Sequence, residues 1–232
     1  MAGRAGPTDP TLSETTIEET VPPAPPPRRK AYRHGDLRNA LLREATALAR
    51  EGGPEAVVLR ETTRRAGVAP NAAYRHFANR RELLLAVAKN AQAELARSME
   101  EELDRLPGGL EEGAEGRARL RAVGTGYLRF ARREPGLFRA AFTAHEDLAN
   151  AAVAESRGAT GRTPFQLLSD AIEQMAAAGL IPPERRDGAE FLAWSAVHGL
   201  ATLLIDGPLR VFGPELADNV GQRLIDLVER GL

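Results

Sequence analysis

Residues 59–83 contain the side chains whose types and spacing indicate a chemical role. Asn71, Ala72 and Arg75 are small or polar, and they share the exposed face of a short helix predicted from about Pro70 to Phe77. Side chains of this kind at the leading end of a helix can reach base edges in the major groove of DNA. The stretch therefore predicts an element that reads DNA.

The residues on either side of this helix are those needed to position it. Arg60–Ala66 can form a preceding helix, Gly67 supplies the positive φ of a tight turn, and Pro70 suits a first helical position. Two helices packed across a tight turn form a helix-turn-helix. The apolar residues that would pack them together are Ala66, Val68, Ala73 and Phe77.

Three short motifs in this stretch resemble the signature of TetR-family repressors. They are Gly67-Val68-Ala69-Pro70, Tyr74-Arg75-His76-Phe77 and Asn79-Arg80-Arg81-Glu82-Leu83. The resemblance implies that Tyr74, His76 and Arg80 contact phosphates. It also implies that Asn71, Ala72 and Arg75 lie nearest the base edges, and Arg60 and Pro70 complete the expected DNA-binding set. Val58 and Ala69 depart from the family pattern, because neither can cap a helix through its side chain, which costs about 1 kcal/mol each.

The charge distribution supports a nucleic-acid partner. The whole chain has a net charge of −1, yet residues 28–81 contain thirteen Lys and Arg against five Asp and Glu, and the remainder contains eighteen against twenty-seven. The local net charges are therefore +8 and −9. A basic segment joined to an acidic remainder is typical of a DNA-binding module attached to a different kind of domain.

Several other classes of protein find no support in the sequence. It has no cysteine, its four histidines lack metal-ligand spacing, and it has no glycine-rich phosphate loop or nucleophile elbow. We therefore expect no enzyme activity, catalytic residue, metal or cofactor. No run of eighteen uncharged apolar residues and no signal peptide occur, so we expect a cytoplasmic protein with no membrane association.

Helical periodicity predicts an all-α fold with an N-terminal three-helix helix-turn-helix domain and a C-terminal helical domain. The resemblance implies that the C-terminal domain serves ligand binding and dimerisation. The expected domains are a disordered, proline-rich tail (1–32), a DNA-binding domain (33–79) and an effector-binding and dimerisation domain (80–232). Residues 107–116 are expected to form a flexible loop, and Arg28, Arg29, Lys30 and Arg33 are either part of a solvated tail or a basic arm on DNA. The expected helices are 36–50, 60–66, 70–77, 79–106, 117–133, 137–153, 163–178, 184–205 and 214–230. The expected N-caps are Asp36, Asn79 and Thr163, with Asn79 and Glu82 spaced as in a capping box, and Gly52-Gly53 is expected to end the first helix.

The last two helices predict a homodimer. Residues 191–205 are apolar on almost every side, so their outer face must be covered, and residues 214–230 carry a second apolar stripe. A pair of helices from each of two subunits would form a four-helix interface through 184–205 and 214–230. Within this region, Trp194 to Gly199 resembles the Trp-x-x-x-His-Gly segment of one TetR C-terminal subfamily.

Aromatic residues concentrate in the C-terminal part, where the resemblance implies an effector cavity. They belong either to an ordinary core or to the lining of a pocket for an uncharged, largely apolar ligand. His198 is either a hydrogen-bonded core histidine or a pocket residue. The proposed lining is Tyr127, Phe130, Phe142, Trp194 and His198.

Together these features predict a sequence-specific transcriptional regulator, a repressor that a small-molecule effector releases from palindromic double-stranded DNA. Repression is the family's usual mode and is implied by the resemblance alone. Two other hypotheses stay open at this point. One is a structural DNA-binding protein without an effector, and the other is a small-molecule-binding protein built on the helical domain.

Overall fold

The computed structural model describes residues 37–143 and 156–232, and the described residues form helices without any strand. This confirms the all-α prediction. None of these helices is long and apolar enough to cross a bilayer. The helices are α1 (Leu37–Gly52), α2 (Leu59–Arg65), α3 (Pro70–Ala73), α4 (Arg80–Leu103), α5 (Glu112–Arg133), α6 (Pro135–Thr143), α7 (Pro164–Ala177), α8 (Pro183–Arg186), α9 (Ala189–Ile205) and α10 (Pro214–Gly231), with short 3-10 turns at Pro54–Ala56 and Pro208–Val211.

The first three helices pack around a small apolar core. Leu41, Val57, Ala73 and Phe77 are fully buried, and the guanidinium of Arg38 lies 5.2 Å from the centre of the Phe77 ring. The expected cap of α1, Asp36, lies outside the described residues, as do the tail and its basic residues. Helix α1 ends where expected, at Gly52, and Gly53 takes a φ of 71°.

Helix α3 is shorter than predicted. It ends at Ala73 rather than at Phe77, and the carbonyl of Ala73 accepts the backbone N–H groups of both His76 and Phe77 at 2.9 Å. The chain turns here because Phe77 must enter the core while Asn79, only two residues later, starts another helix. Tyr74 and the next two residues therefore lie in a turn.

Asn79 caps α4 as predicted, with its Oδ1 accepting the N–H of Glu82 at 2.9 Å. The return bond of the expected capping box differs, because Glu82 accepts the N–H of Ala78 rather than that of Asn79. Helix α4 ends at Leu103, three residues before the predicted end.

The predicted loop over 107–116 was wrong in its second half, because α5 begins at Glu112. Gly113 and Gly116 were interpreted as loop residues, but both lie inside the helix. A Cβ on Gly116 would lie 3.3 Å from the Cα of Met175, so this glycine permits close contact between α5 and α7. Gly126 does the same against α4, where a Cβ would lie 2.5 Å from the Cα of Met99.

The C-terminal helices follow the prediction with one break. The helix predicted over 137–153 is observed as α6 as far as Thr143, and the rest of that range lies outside the described residues. Thr163 and Gln166 form a complete capping box at the start of α7. The helix predicted over 184–205 was wrong in its continuity, since Gly188, with a φ of 81°, separates α8 from α9.

One continuous apolar core extends from Leu41 in α1 to Leu232 after α10. Helix α4 lies against α1, α5, α6 and α7, so it contacts both the N-terminal helices and the C-terminal bundle. The N-terminus of α6 also touches α1, where a Cβ on Gly136 would clash with the carbonyl oxygen of Ala49. The predicted domain boundary at 79–80 coincides with the start of α4 and stays a prediction.

Candidate nucleic-acid interface and aromatic cluster

The turn between α2 and α3 forms without side-chain caps. Gly67 takes a φ of 69°, and the N–H of Val68 bonds to the carbonyl of Thr63 at 3.0 Å. Thr63 is buried, and its hydroxyl donates to the carbonyl of Arg60 at 2.9 Å. Neither Val58 nor Ala69 provides a capping side chain. The turn is held by backbone hydrogen bonds and by burial.

Most of the predicted DNA-binding residues lie on the outer surface of this unit. Asn71, Tyr74 and Arg75 are exposed, Tyr74 by 56%, whereas Ala72 and His76 are half-buried. In contrast, Ala73 and Phe77 on the inner face have no solvent exposure. Helix α3 and the turn that follows it therefore bury their apolar side chains and expose most of the predicted contact residues.

Arg60 and Pro70, the other two residues of the predicted set, lie together. Both line a groove of about 420 Å³ between α2 and α3, and both are exposed. Arg60 comes from the first turn of α2 and Pro70 from the first turn of α3. The groove therefore places the leading ends of the two helices side by side.

Arg80 has a different environment from the other predicted contacts. Its Nε donates to the carbonyl of Val57 and its Nη2 to the carbonyl of Pro54, both at 2.7 Å, and Glu55 lies 3.5 Å from Nη2. The side chain remains 42% exposed. In this arrangement the guanidinium joins the start of α4 to the segment before α2, a role that sequence reasoning missed because both partners are backbone carbonyls.

The other arginines of α2 are paired within the unit. Arg64 makes a two-pronged bond to Glu61, and Arg65 bonds to both Glu51 and Glu61. Hydrogen bonds lower the pKa of Glu61 to about 2, with the larger effect from Arg64 and the smaller from Arg65. Part of the basic surplus of this segment is therefore neutralised locally.

Buried polar side chains on α4 bond to the backbone of other elements. Gln92 donates to the carbonyl of Ala141 in α6 at 3.1 Å, and Ser98 donates to the carbonyl of Gly126 in α5 at 3.0 Å. Glu100, 5% exposed, accepts hydrogen bonds from the segment that precedes α7. Sequence reasoning missed all three, since their partners are backbone groups distant in the chain.

An aromatic cluster surrounds the hydroxyl of Tyr127. Trp194 Nε1 donates to Tyr127 Oη at 3.2 Å, and Tyr127 Oη lies 2.7 Å from His198 Nδ1. The rings of Phe138 and Phe142 pack against both Tyr127 and His198 at centroid distances from 4.7 to 6.4 Å. Helices α5, α6 and α9 therefore meet at a polar pair enclosed by aromatic rings.

Burial sets the protonation of this pair. Desolvation raises the pKa of Tyr127, which is 4% exposed, and it lowers the pKa of the half-buried His198. Both shifts favour the uncharged forms. The cluster is therefore neutral near pH 7.

Four of the five predicted pocket residues meet in this cluster. Phe130 is the exception, because it is fully buried and makes no ring contact with the other aromatics of the described chain. Phe138 was counted among the aromatic residues of the C-terminal part but was left out of the proposed pocket lining, although it contacts the rings of Tyr127 and His198. Its position four residues before Phe142, one helical turn away, is the signal that would have identified it.

Helices α9 and α10 leave an uncovered apolar surface. Leu192 is 66% exposed and Leu227 is 62% exposed, so both side chains are largely in solvent. Large apolar side chains exposed on two helices that pack against each other are typical of a protein interface. The large exposed apolar residues on the two helices are Phe191, Leu192, Leu203, Leu216 and Leu227.

Two family models match the chain. Residues 41–87 match the model of bacterial regulatory proteins of the tetR family, and residues 120–228 match a tetracyclin repressor-like C-terminal domain. The first match covers the helix-turn-helix, and the second covers the aromatic cluster and the apolar surface. No curated protein matches the sequence.

Solved structures share the fold over nearly their whole length. A Rhodococcus sp. RHA1 protein of unknown function is 27% identical, with a TM-score of 0.67 over 88% of this chain and 99% of that one. The TetR-family regulator PfmR of Thermus thermophilus is 21% identical, with a TM-score of 0.55 over 84% and 96%. A TetR variant from Acinetobacter baumannii AYE, solved with minocycline, is 20% identical, with a TM-score of 0.50 over 83% and 94%.

Proposed function

The chain belongs to the TetR family of DNA-binding transcriptional regulators, and from this we propose that it is a homodimeric repressor released from a near-palindromic operator by a small, largely apolar ligand. The observation that carries the proposal is the orientation of α3. Ala73 at the end of α3 and Phe77 after the following turn are buried, while Asn71 on α3 and Arg75 in the turn are exposed. We further propose the cytoplasm as its location and 33–79 and 80–232 as its functional domains.

The DNA contacts follow from this orientation. Asn71, Ala72 and Arg75 are the proposed base-reading residues because they lie on or next to the short helix that would enter the major groove. Tyr74 and His76, in the turn that follows α3, are the proposed phosphate contacts. Arg60 and Pro70, at the groove between α2 and α3, complete the proposed interface, and Arg80 supports it from behind through Val57 and Pro54.

Dimerisation through α9 and α10 would supply the second half of the operator contact. The exposed apolar residues of these helices support a four-helix interface between two copies. Two recognition helices related by a two-fold axis then contact successive major grooves, roughly 34 Å apart. A palindromic operator would match this symmetry.

Helix α4 links the aromatic cluster to the DNA-binding helices. Phe142 in α6 belongs to the cluster, and its neighbour Ala141 accepts the hydrogen bond from Gln92 in α4. A ligand packed against Phe142 would displace α6 and, through this bond, α4. Release from DNA follows if the ligand binds more tightly to the conformation in which the two recognition helices no longer match the operator.

The test is selection of bound sequences from random duplex DNA with the purified protein at physiological salt. We expect enrichment of an inverted repeat, with affinity at least about a thousandfold above that for random DNA. Binding without enrichment would contradict the repressor and favour a structural DNA-binding protein. Absence of DNA binding would favour a small-molecule-binding protein on the helical domain.

A further inference from the structure

The hydrogen bonds of the aromatic cluster fix the position of each proton. An indole N–H can only donate, so Tyr127 Oη accepts from Trp194 Nε1. Tyr127 is 4% exposed, and its own hydroxyl proton needs an acceptor. Within the described chain that acceptor is His198 Nδ1, at 2.7 Å. Tyr127 therefore donates to His198.

This direction determines the tautomer of His198. If Nδ1 accepts, the proton of the neutral ring is on Nε2. Nε2 has no hydrogen-bond partner within the described residues. Nor is it a fully buried atom, because Ser156 Oγ is the one side-chain polar atom in the described chain that is both fully buried and unpaired. The Nε2–H of His198 is therefore an available donor at the half-buried edge of the cluster.

The surroundings of this donor are aromatic. The ring of His198 lies 4.7 Å from that of Phe142, 5.4 Å from that of Phe138 and 6.0 Å from that of Trp194. A carboxylate placed here would lose its hydration and gain one neutral donor, which does not compensate for burying a charge. A purely hydrocarbon ligand would cover the N–H without bonding to it.

We propose that His198 is the polar recognition residue of the effector pocket, and that the effector is an uncharged aromatic molecule with a hydrogen-bond acceptor, such as a carbonyl oxygen, facing Nε2–H. This inference rests on the proposed function, because it takes the aromatic cluster as the effector site. Tyr127 is then a positioning residue, since it holds the tautomer that presents the donor. Trp194 in turn orients Tyr127.

The first test needs no ligand. In the protein labelled with ¹⁵N-histidine, the ring nitrogen signals distinguish the two tautomers, and the His198 signals are those lost in His198→Gln. We expect His198 to be neutral with its proton on Nε2, and Tyr127→Phe to produce a mixture of tautomers. A proton on Nδ1 in the natural protein would overturn the inference.

The second test uses two molecules of matched shape. Acetophenone carries a carbonyl oxygen, whereas isopropylbenzene has a methyl group in its place, and benzoate adds a charged comparison. Trp194 is the single tryptophan of the chain and lies in the cluster, so its fluorescence reports binding directly. We expect acetophenone to bind about tenfold more tightly than either other molecule, because only it satisfies the Nε2–H.

Two variants test the origin of this preference. His198→Phe keeps an aromatic ring but removes the donor. Tyr127→Phe keeps the histidine but removes the hydroxyl that holds its proton on Nε2. The preference for acetophenone should disappear in the first variant and weaken in the second. Equal binding of the pair, failure of both to bind, or a preference that survives His198→Phe would each overturn the inference.

Operator binding is measured on the same preparations, so that the two hypotheses fail separately. If the protein selects an inverted repeat but does not discriminate between the pair, the regulator stands and the ligand class is wrong. If the protein selects no DNA sequence, the proposed function fails, and discrimination between the pair still tests His198.

Discussion

Glu100 binds both polar hydrogens of Thr160: its carboxylate accepts the backbone N–H at 2.9 Å and the hydroxyl at 2.5 Å. A third hydrogen bond comes from the N–H of Ala159 at 2.8 Å. Glu100 lies on α4, and the bound segment leads into α7. The helix that carries the DNA-binding unit is therefore anchored to the entrance of a C-terminal helix.

We predict that Glu100 and Gly158 are energetically coupled. A Cβ on Gly158 would lie 2.5 Å from a Glu100 carboxylate oxygen, so Gly158→Ala should destabilise the natural protein. Glu100→Ala removes three hydrogen bonds between the buried carboxylate on α4 and the segment before α7, and it should cost about 1–3 kcal/mol. In the double variant the clash is absent, so the two losses should not add. Urea denaturation of the four proteins gives the coupling free energy.

Gly108→Ala is the matched control for this cycle, because Gly108 is exposed and an added Cβ meets nothing within 4 Å. It should leave the free energy of unfolding nearly unchanged in both backgrounds. Strictly additive losses for Glu100 and Gly158 would show that the contact has no energetic role.

Substitution of Arg80 can distinguish a structural role, through the carbonyls of Val57 and Pro54, from direct contact with a DNA phosphate. Lysine keeps the charge but cannot donate to the carbonyls of Val57 and Pro54 in the geometry of a guanidinium. Arg80→Lys should therefore lower the free energy of unfolding by about 1–2 kcal/mol, nearly as much as Arg80→Ala. Both variants should weaken operator binding while the salt dependence of binding stays the same.

A different pattern would identify Arg80 as a phosphate contact. If Arg80→Lys binds the operator normally and Arg80→Ala reduces the slope of log affinity against log salt by about 1, Arg80 contacts a phosphate. Fluorescence anisotropy across a salt series provides these slopes.

Arg75 and Tyr74 should differ in what their loss does to DNA binding. Arg75→Ala is expected to reduce discrimination at one position of the half-site by about 1–3 kcal/mol. Tyr74→Phe removes one hydroxyl and should weaken binding to operator and random DNA alike, by about 0.5–1.5 kcal/mol. Affinities for the operator, single-base variants and random duplex measure both effects. The assignment of roles fails if the two variants show the same pattern.

Two glycines of α5 should respond differently to the same substitution. An alanine at Gly126 places its Cβ 2.5 Å from the Cα of Met99, a backbone atom, and should cost about 2 kcal/mol or more despite the better helix propensity of alanine. An alanine at Gly124 meets only the side chain of Ile225, at 3.0 Å, which can shift. Its net effect should be within about 1 kcal/mol. Thermal denaturation of the pair tests this order.

The apolar surface of α9 and α10 should control the oligomeric state. Leu227→Glu places a charge within the proposed interface and should raise the dimer dissociation constant by about a hundredfold. Asn39→Glu adds the same charge at an exposed site on α1 and should leave the dimer intact. Sedimentation velocity distinguishes the two results. A Leu227→Glu protein that remains dimeric would place the interface elsewhere.

Local signals predicted the fold well where a residue's own chemistry decided the outcome. Gly67 required a positive φ, Asn79 and Thr163 could cap helices, and each did so. The prediction failed where a distant partner decided it. Gly116 was interpreted as a loop residue because glycine weakens helices, but it lies inside α5, where a Cβ would be only 3.3 Å from the backbone of Met175.

The site shows the same division. Aromatic residues concentrated in the C-terminal part, together with the resemblance, suggested a common site, and four of the five named residues lie around the Tyr127 hydroxyl. Their role as a pocket lining stays a prediction. The bonds of Arg80 to Val57 and Pro54, and of Glu100 to the segment before α7, were not predicted. Their acceptors and donors are backbone groups, which every residue possesses and no sequence pattern identifies.

The contact between Gly126 and Met99 also sets the point about which α4 would pivot if it tilted. Because α4 and α5 have no spare space at this point, a tilt of α4 would pivot near Met99 rather than slide past α5. From Met99 to Arg80 the helix spans about 28 Å at 1.5 Å per residue. A rotation of about 5° then displaces its N-terminus by about 2.5 Å, close to half of one helical turn. A tilt of α4 that is too small to disturb the core at Met99 would therefore still displace the DNA-binding helices at its N-terminus.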